Sequence, residues 1–484
     1  MERLSCFSLE VPGSSLHRYH VAIASLIRGN GLVTIEYRRS DLPYVLIPLI
    51  YFVALFPSRN HWDTVEILRL ARNGQSIDQW TALYFRYLQI ISAGGHLAFL
   101  PSAIGLIGLV FGCVYFVESL PLSKATKRIA TLISVGSPFV GVFGMTLTHE
   151  VQTVTGTLIL SGILLRKFSN SEEEINKVLV GFAIIYCLMT FVGLLIVFGF
   201  FLALTRKHNM LRNSFVYILI FLFSFMSGSL LFVDKVNPAT NFQSFLGDVK
   251  CIVQHPDAVI SEIQWNELEK LGPKEKWLEA RTCSSTAEAV MFVAPNFPGK
   301  EVDFLKLWAQ LVKQNPQIAL QARIQRSAMA LPPPFFQSQP NFSSKDYLEP
   351  VGTGTQDDLQ QWSPLFKTSN DDPYQLEHLR PPSFLKPLEF IALLPAFILN
   401  SQSWLWGWGG LWIVVFAIIL LTRTRMRLSD ISRVLLPHFM TIVGLFVGSP
   451  VSDPRYAMSL TVVGIFTSIA FLADYFVRRR SSLL

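Results

Sequence analysis

The chain has 484 residues, of which 51% are hydrophobic and only 15% charged. With a positive mean hydropathy, this excludes a soluble multidomain protein, because the polar surface needed to face water on all sides is missing. The net charge of +7 does not point to nucleic acid, since the basic residues cluster beside apolar segments, where a membrane protein anchors itself.

Residues 1–41 mix Glu2, Arg3, Glu10, His17, Arg18 and His20 with short apolar runs, so they read as a cytoplasmic, partly amphipathic lead-in without a cleavable signal peptide. Orientation follows from four short basic clusters, at 38–39, 124–128, 423–427 and 478–480, all of which the inward bias of Lys and Arg assigns to the cytoplasm. A first helix over 42–56 then leads out, 57–98 forms an external loop, and a second helix over 100–117 returns. A third over 129–146 leads out to a tight turn at Thr148, His149 and Glu150, and 153–165 returns to Arg166 and Lys167. The stretch 178–204 reads as two short, shallow helices broken near Thr190 to Gly193, which keeps Arg206, Lys207 and Arg212 inside; one long helix would carry them out.

A helix over 215–233 leads to an external domain over 234–387; the alternative places that domain in the cytoplasm. It carries Trp265, Trp277, Trp308 and Trp362 and a helical pattern over 302–329, so it should fold, whereas 331–382 is rich in Pro, Ser, Asn and Asp and looks extended. The stretch 388–399, with Pro395, is short for a span and reads as interfacial or re-entrant. Trp404, Trp406, Trp408 and Trp412 mark an aromatic belt, as anchors before a sugar platform. Spans over 404–422, 431–447 and 458–473 complete a total of about ten. The expected fold class is an all-α polytopic membrane protein with a mixed extracytoplasmic domain inserted late, and its segments are 1–41, 42–233, 234–387 and 388–484. Cys251 and Cys283 could form a disulfide if the external region faces an oxidising compartment; two unpaired thiols fit the sequence equally.

Three patches carry candidate chemistry. The first external loop begins His61, Trp62, Asp63, Thr64, Val65, Glu66. A partly desolvated carboxylate at Asp63 can hold a divalent cation or take a proton from an attacking hydroxyl; it would equally serve as an N-cap. His149 and Glu150 sit between two apolar helices, where polar groups are costly and mark function, although Glu150 also suits a helix start. Arg455, in the Ser-Asp-Pro-Arg-Tyr stretch 452–456, is a positive charge in a short outer turn. It suits a lipid phosphate, with snorkelling or a pair with Asp453 as the simpler role.

These features together, with an acid after helix one, an acid after helix three, a pair of short helices, a late external domain and Asp453-Pro454-Arg455-Tyr456 before the last span, resemble the GT-C superfamily of polyprenyl-phosphate-sugar glycosyltransferases. The stretch from Phe304 to Trp308, continuing to Asn315, Pro316 and Arg323, is similar to segments of bacterial polysaccharide-modifying members. The likeness covers nearly the whole chain in topology but only short patches in sequence. It implies Asp63 as catalytic base or metal-associated residue, with Glu66 as a substitute, and Glu150 as the second acid. It implies Arg455, with Tyr456 and His149, at the donor phosphate, and Trp308 and Arg323 at the acceptor. Asp63 and Glu150 could hold Mg2+ or Mn2+ as cofactor; the alternative is that no cofactor is used. The chain departs from the pattern in having a lone Asp in His61-Trp62-Asp63 and in following Glu150 with Val151 and Gln152 rather than another acid.

The expected reaction moves a sugar from a polyprenyl-phosphate donor to a glycan, lipid or protein acceptor on the extracytoplasmic side of a bacterial inner or plasma membrane. Its partners are that donor, the acceptor and membrane lipids, with no nucleic acid. One alternative is a lipid-pyrophosphate-dependent glycan polymerase or ligase leaning on Arg281, Arg323 and Arg326. Another is a transporter or flippase, which calls for ionisable residues at the bilayer midplane rather than at the rim.

Overall fold

A computed structural model describes residues 19–21, 35–37, 42–58, 68, 81–97, 99–169, 175–205, 238–279, 287–331, 382–400, 407–449 and 454–481. The expected helix over 215–233, the Pro-rich stretch after 331, Asp63, Trp404 and Trp406 lie outside them. Apart from one antiparallel ladder that pairs β1 (Tyr19–Val21) with β2 (Ile35–Tyr37), the regular structure described is helical.

The first half contains α1 (Leu42–Ala54), α2 (Ala82–Ile91), α3 (Phe99–Ser119), α4 (Lys124–Val135), α5 (Pro138–Gly144), α6 (His149–Ser169), α7 (Lys177–Cys187) and α8 (Phe191–Leu204). The helix expected over 129–146 is two helices. Gly136 ends α4, and Pro138, which has no N–H to donate, starts α5 at a first-turn position. Tyr51 seals this break by donating from its hydroxyl to the Gly136 carbonyl at 3.1 Å, its ring lying flat where a Cβ on Gly141 would stand. The break expected near 190 is present: Thr190 caps α8 by accepting from Gly193 N at 2.9 Å. Only glycine fits at 193, because a Cβ there would run into the Cys187 carbonyl.

α6 is the axis of this half, buried without interruption from Glu150 to Leu165. Its polar side chains tolerate that burial because Thr155, Thr157 and Ser161 each donate to the carbonyl four residues back, at 2.9, 2.7 and 2.7 Å.

The domain after residue 234, expected to be external and mixed, is built from helices alone among its described residues. These are α9 (Gln243–Gln254), α10 (Glu262–Glu269), α11 (Lys274–Leu278), α12 (Ala287–Val293), α13 (Glu301–Gln314) and α14 (Pro316–Arg326), with short 3-10 turns at 238–242, 294–296 and 328–330. Local signals explain this outcome: Ser261 and Gln264 form a capping box on α10, and Pro316 opens α14. A core of its own, with Trp277, Phe297, Phe304 and Leu311 fully enclosed, holds the domain together. Cys251 in α9 is disulfide-bonded; its partner lies outside the described residues, as does Cys283.

The chain ends with α15 (Lys386–Asn400), which runs through Pro395, then α16 (Gly409–Arg423), α17 (Leu428–Gly448) and α18 (Pro454–Ser481). Three described helices are long and apolar enough to cross a membrane: α3, α17 and the 455–479 part of α18. α1, α7, α8 and α16 are apolar but shorter.

The basic clusters gather at one end of this bundle. Tyr44, at the start of α1, donates to the Arg128 carbonyl at 3.0 Å, and Thr126 donates to Asp474 near the arginines that close α18, at 3.2 Å. Arg166 donates to Ser119 Oγ at 2.9 Å, and Arg433, just past the 423–427 cluster, lies 5.5 Å from the Phe168 ring. The opposite end carries the starts of α6 and α18 and the inserted helical domain.

Candidate active site

At that opposite end, α6 and α18 pack side by side and bring their first turns together. Glu150 and Arg455, 4% and 7% exposed, meet there, with Arg455 Nε 3.4 Å from Glu150 Oε1. His149 Nε2 stands 3.5 Å from the same oxygen and adds a second positive charge when protonated. Glu150 sits where a helix favours an anion, but a cation in the first turn of α18 opposes that helix's dipole. The Glu150 carboxylate therefore accounts for the position of Arg455 better than its own helix does.

The guanidinium is also steadied by its neighbour: Nη2 donates to the Tyr456 hydroxyl at 2.9 Å, and its carbon lies 4.8 Å from that ring. The ion pair is long for a charge-assisted hydrogen bond. Both carboxylate oxygens of Glu150 are buried, and neither has a donor in full hydrogen-bond geometry among the described residues; the Thr148 hydroxyl and the Glu150 N–H are near but poorly aligned. A buried carboxylate with unused acceptor positions is costly unless a further donor arrives. That makes this pair a candidate for binding a hydroxyl or a phosphate-bearing group, and not merely a structural strut.

Two other elements frame the pair. α2 brings the Tyr84 ring to 5.3 Å from the His149 ring, and Thr81, which caps α2, donates to the Met189 carbonyl at 2.7 Å. One turn into α6, Thr153 donates towards Thr190 Oγ1 at 3.0 Å, so the α7–α8 break is fastened just beneath the acid. Tyr84 was not singled out by the sequence, where it is one aromatic residue in an amphipathic stretch; only its packing on His149 marks it.

The structure thus brings together Glu150, Arg455, His149 and Tyr456. Asp63 and Glu66 lie outside the described residues. Trp308 and Arg323, expected at the acceptor, belong to a different cluster, centred on Asp248. Arg323 Nε and Nη2 reach Asp248 Oδ2 at 2.9 and 2.6 Å, and Trp308 Nε1 donates to the same oxygen at 2.9 Å. Arg326, fully buried, pairs with Oδ1. A carboxylate 1% exposed and surrounded by two arginines and an indole N–H is a satisfied internal network. Asp248 was missed because its partners stand 60 or more positions away.

The fit for a divalent cation is poor among the described residues. Mg2+ and Mn2+ prefer several oxygen ligands, whereas Glu150 already faces Arg455 and His149, and no three acidic, His or Cys side chains cluster. A cavity of about 200 Å³ lined by Tyr115, Arg166, Lys167 and Asn176 lies at the basic end, away from Glu150. Comparison with protein families, with characterised proteins and with solved structures finds no match.

Proposed function

We propose that the chain is a GT-C-like membrane glycosyltransferase of about ten spans, acting at the extracytoplasmic face of a bacterial inner or plasma membrane. It takes a sugar from a polyprenyl-phosphate donor and gives it to a hydroxyl on a glycan, lipid or protein. The observation that carries this reading is the buried Glu150–Arg455 pair, a fixed guanidinium beside a carboxylate with unused acceptor positions, at the end of the bundle opposite the basic clusters. The disulfide at Cys251 adds support for the side, since such bonds persist in oxidising compartments.

In this mechanism the acceptor oxygen attacks the anomeric carbon, the bond from that carbon to the phosphate oxygen breaks, and lipid phosphate leaves. Arg455, held by Glu150 and Tyr456, stabilises the charge that grows on the departing phosphate. Asp63 takes the acceptor proton, because an alcohol is a weak nucleophile at neutral pH. Glu150 accepts a hydrogen bond from a sugar or acceptor hydroxyl, and His149 sets the charge beside it. No step runs through a metal. The test is direct: the full chain in nanodiscs, given a polyprenyl-phosphate sugar and an acceptor, should release polyprenyl phosphate. Absence of release across sugars and acceptors, with a folded protein, rejects the reading.

One observation favours a transporter or flippase instead. His438, midway along α17 and fully buried, has Nε2 3.1 Å from Ser161 Oγ. Ser161 donates its own proton to the Thr157 carbonyl, so Nε2 is the donor, and Nδ1 has no partner among the described residues. A polar group at that depth is the kind of feature a transport path uses.

A further inference from the structure

The last carbonyls of a helix have no partner within it, and at the end of α17 the outer domain supplies the donors. Arg323 Nη1 donates to the Val447 carbonyl, and the Ser244 hydroxyl lies 2.7 Å from the Gly448 carbonyl and 3.1 Å from that of Ser449. Arg323 is itself fixed, since its Nε and Nη2 both bind Asp248 and its guanidinium lies 5.5 Å from the Phe245 ring. A cation here also complements the C-terminal end of the α17 dipole. Arg455 follows a few positions after Ser449 in the sequence, close to the helix end that the domain caps. A second brace stands beside it: the 328–330 turn packs on α16 and α18, so closely that a Cβ on Gly410 would strike the Ala330 carbonyl.

We propose that Arg323 and Ser244 are positioning residues that fix the end of α17 and thereby keep the start of α18, with the Arg455 guanidinium, in register with Glu150. Asp248, Arg326 and Trp308 are the rigid mount on which Arg323 is set. The domain thereby acts on the donor end of the reaction and not solely on the acceptor. The proposal rests on the reading of Arg455 as the donor-phosphate residue. It replaces direct acceptor recognition by Arg323, each of whose three guanidinium nitrogens is already engaged by a carboxylate or a helix carbonyl.

The test compares the full chain in nanodiscs as wild type, Arg323→Ala, Ser244→Ala and the control Lys306→Ala, whose exposed ion pair with Asp303 lies elsewhere on the domain. Arg323→Ala still leaves Asp248 bound to Arg326 and Trp308, so the domain should stay folded. Hydrogen exchange should rise at least about fivefold in the first turns of α18 in Arg323→Ala and Ser244→Ala, and not in α3. The donor KM should rise roughly tenfold with the acceptor KM unchanged, as expected when a binding group is slightly misplaced. Lys306→Ala should change neither. Unaltered exchange at α18 overturns the proposal whatever the activity, and so does a rise in acceptor KM alone. If exchange rises but wild type binds no polyprenyl phosphate, the mechanical link stands and the donor reading fails.

Discussion

Glu150 and Arg455 stand at the starts of two helices that run the same way, with 3.4 Å between Oε1 and Nε and almost no solvent at either side chain. Removing one member leaves the other as a buried, uncompensated charge. Arg455→Ala should therefore cost about 3 kcal/mol of stability and lower donor turnover roughly a thousandfold. Glu150→Gln, which keeps shape and removes charge, should lower turnover roughly a hundredfold. The double variant should be no worse than the poorer single one, because the two act as a unit. Thermal unfolding and release of polyprenyl phosphate check both statements; additive losses would mean the residues act apart.

Asp63→Asn should eliminate transfer from a polyprenyl-monophosphate donor while leaving donor binding near wild type, since a base acts on the acceptor proton. Activity retained in that variant removes Asp63 from the mechanism. The polymerase or ligase alternative predicts use of a pyrophosphate donor, with strong dependence on Arg281, Arg323 and Arg326. In the structure Arg323 and Arg326 are both engaged by Asp248.

Orientation has its own test. Reporter tags at Gly352 and Arg425 should read outside and inside respectively, because Arg425 belongs to a basic cluster and Gly352 to the outer domain segment. The same orientation predicts that Cys251 in cell-derived protein resists thiol labelling until a reductant is added. Cys251→Ser should destabilise the domain by roughly 2–4 kcal/mol. Labelling without reductant would place that domain in a reducing compartment.

His438→Phe separates the enzyme from the transporter. Sugar transfer should change by less than about threefold, because the side chain packs on Phe416 and Ser161 far along α17 from Arg455. Loss of lipid movement with transfer intact would instead favour transport.

Much of the bundle was legible in the sequence because apolar length and basic clusters are one-dimensional signals. α1, α3, α7, α8 and α17 lie close to where hydropathy placed them, and the Thr190–Gly193 break followed from keeping Arg206, Lys207 and Arg212 on the side of the other basic clusters. The α4–α5 break was overlooked, although Gly136, Ser137 and Pro138 spell a helix end followed by a helix start. Long-range pairing was not legible in the same way. Glu150 and Arg455 were singled out for their positions at helix ends, and only packing could show them in contact. Trp308 and Arg323 looked like recognition groups because nothing local revealed Asp248 as their partner.

The most direct measurement is a density map of the full chain in nanodiscs with a bound polyprenyl phosphate. The phosphate should lie within about 3 Å of the Arg455 guanidinium, beside Glu150 and Tyr456. A phosphate seated in the Arg166–Lys167 cavity or on the outer domain, with the Glu150–Arg455 pair untouched, would contradict the proposed donor site.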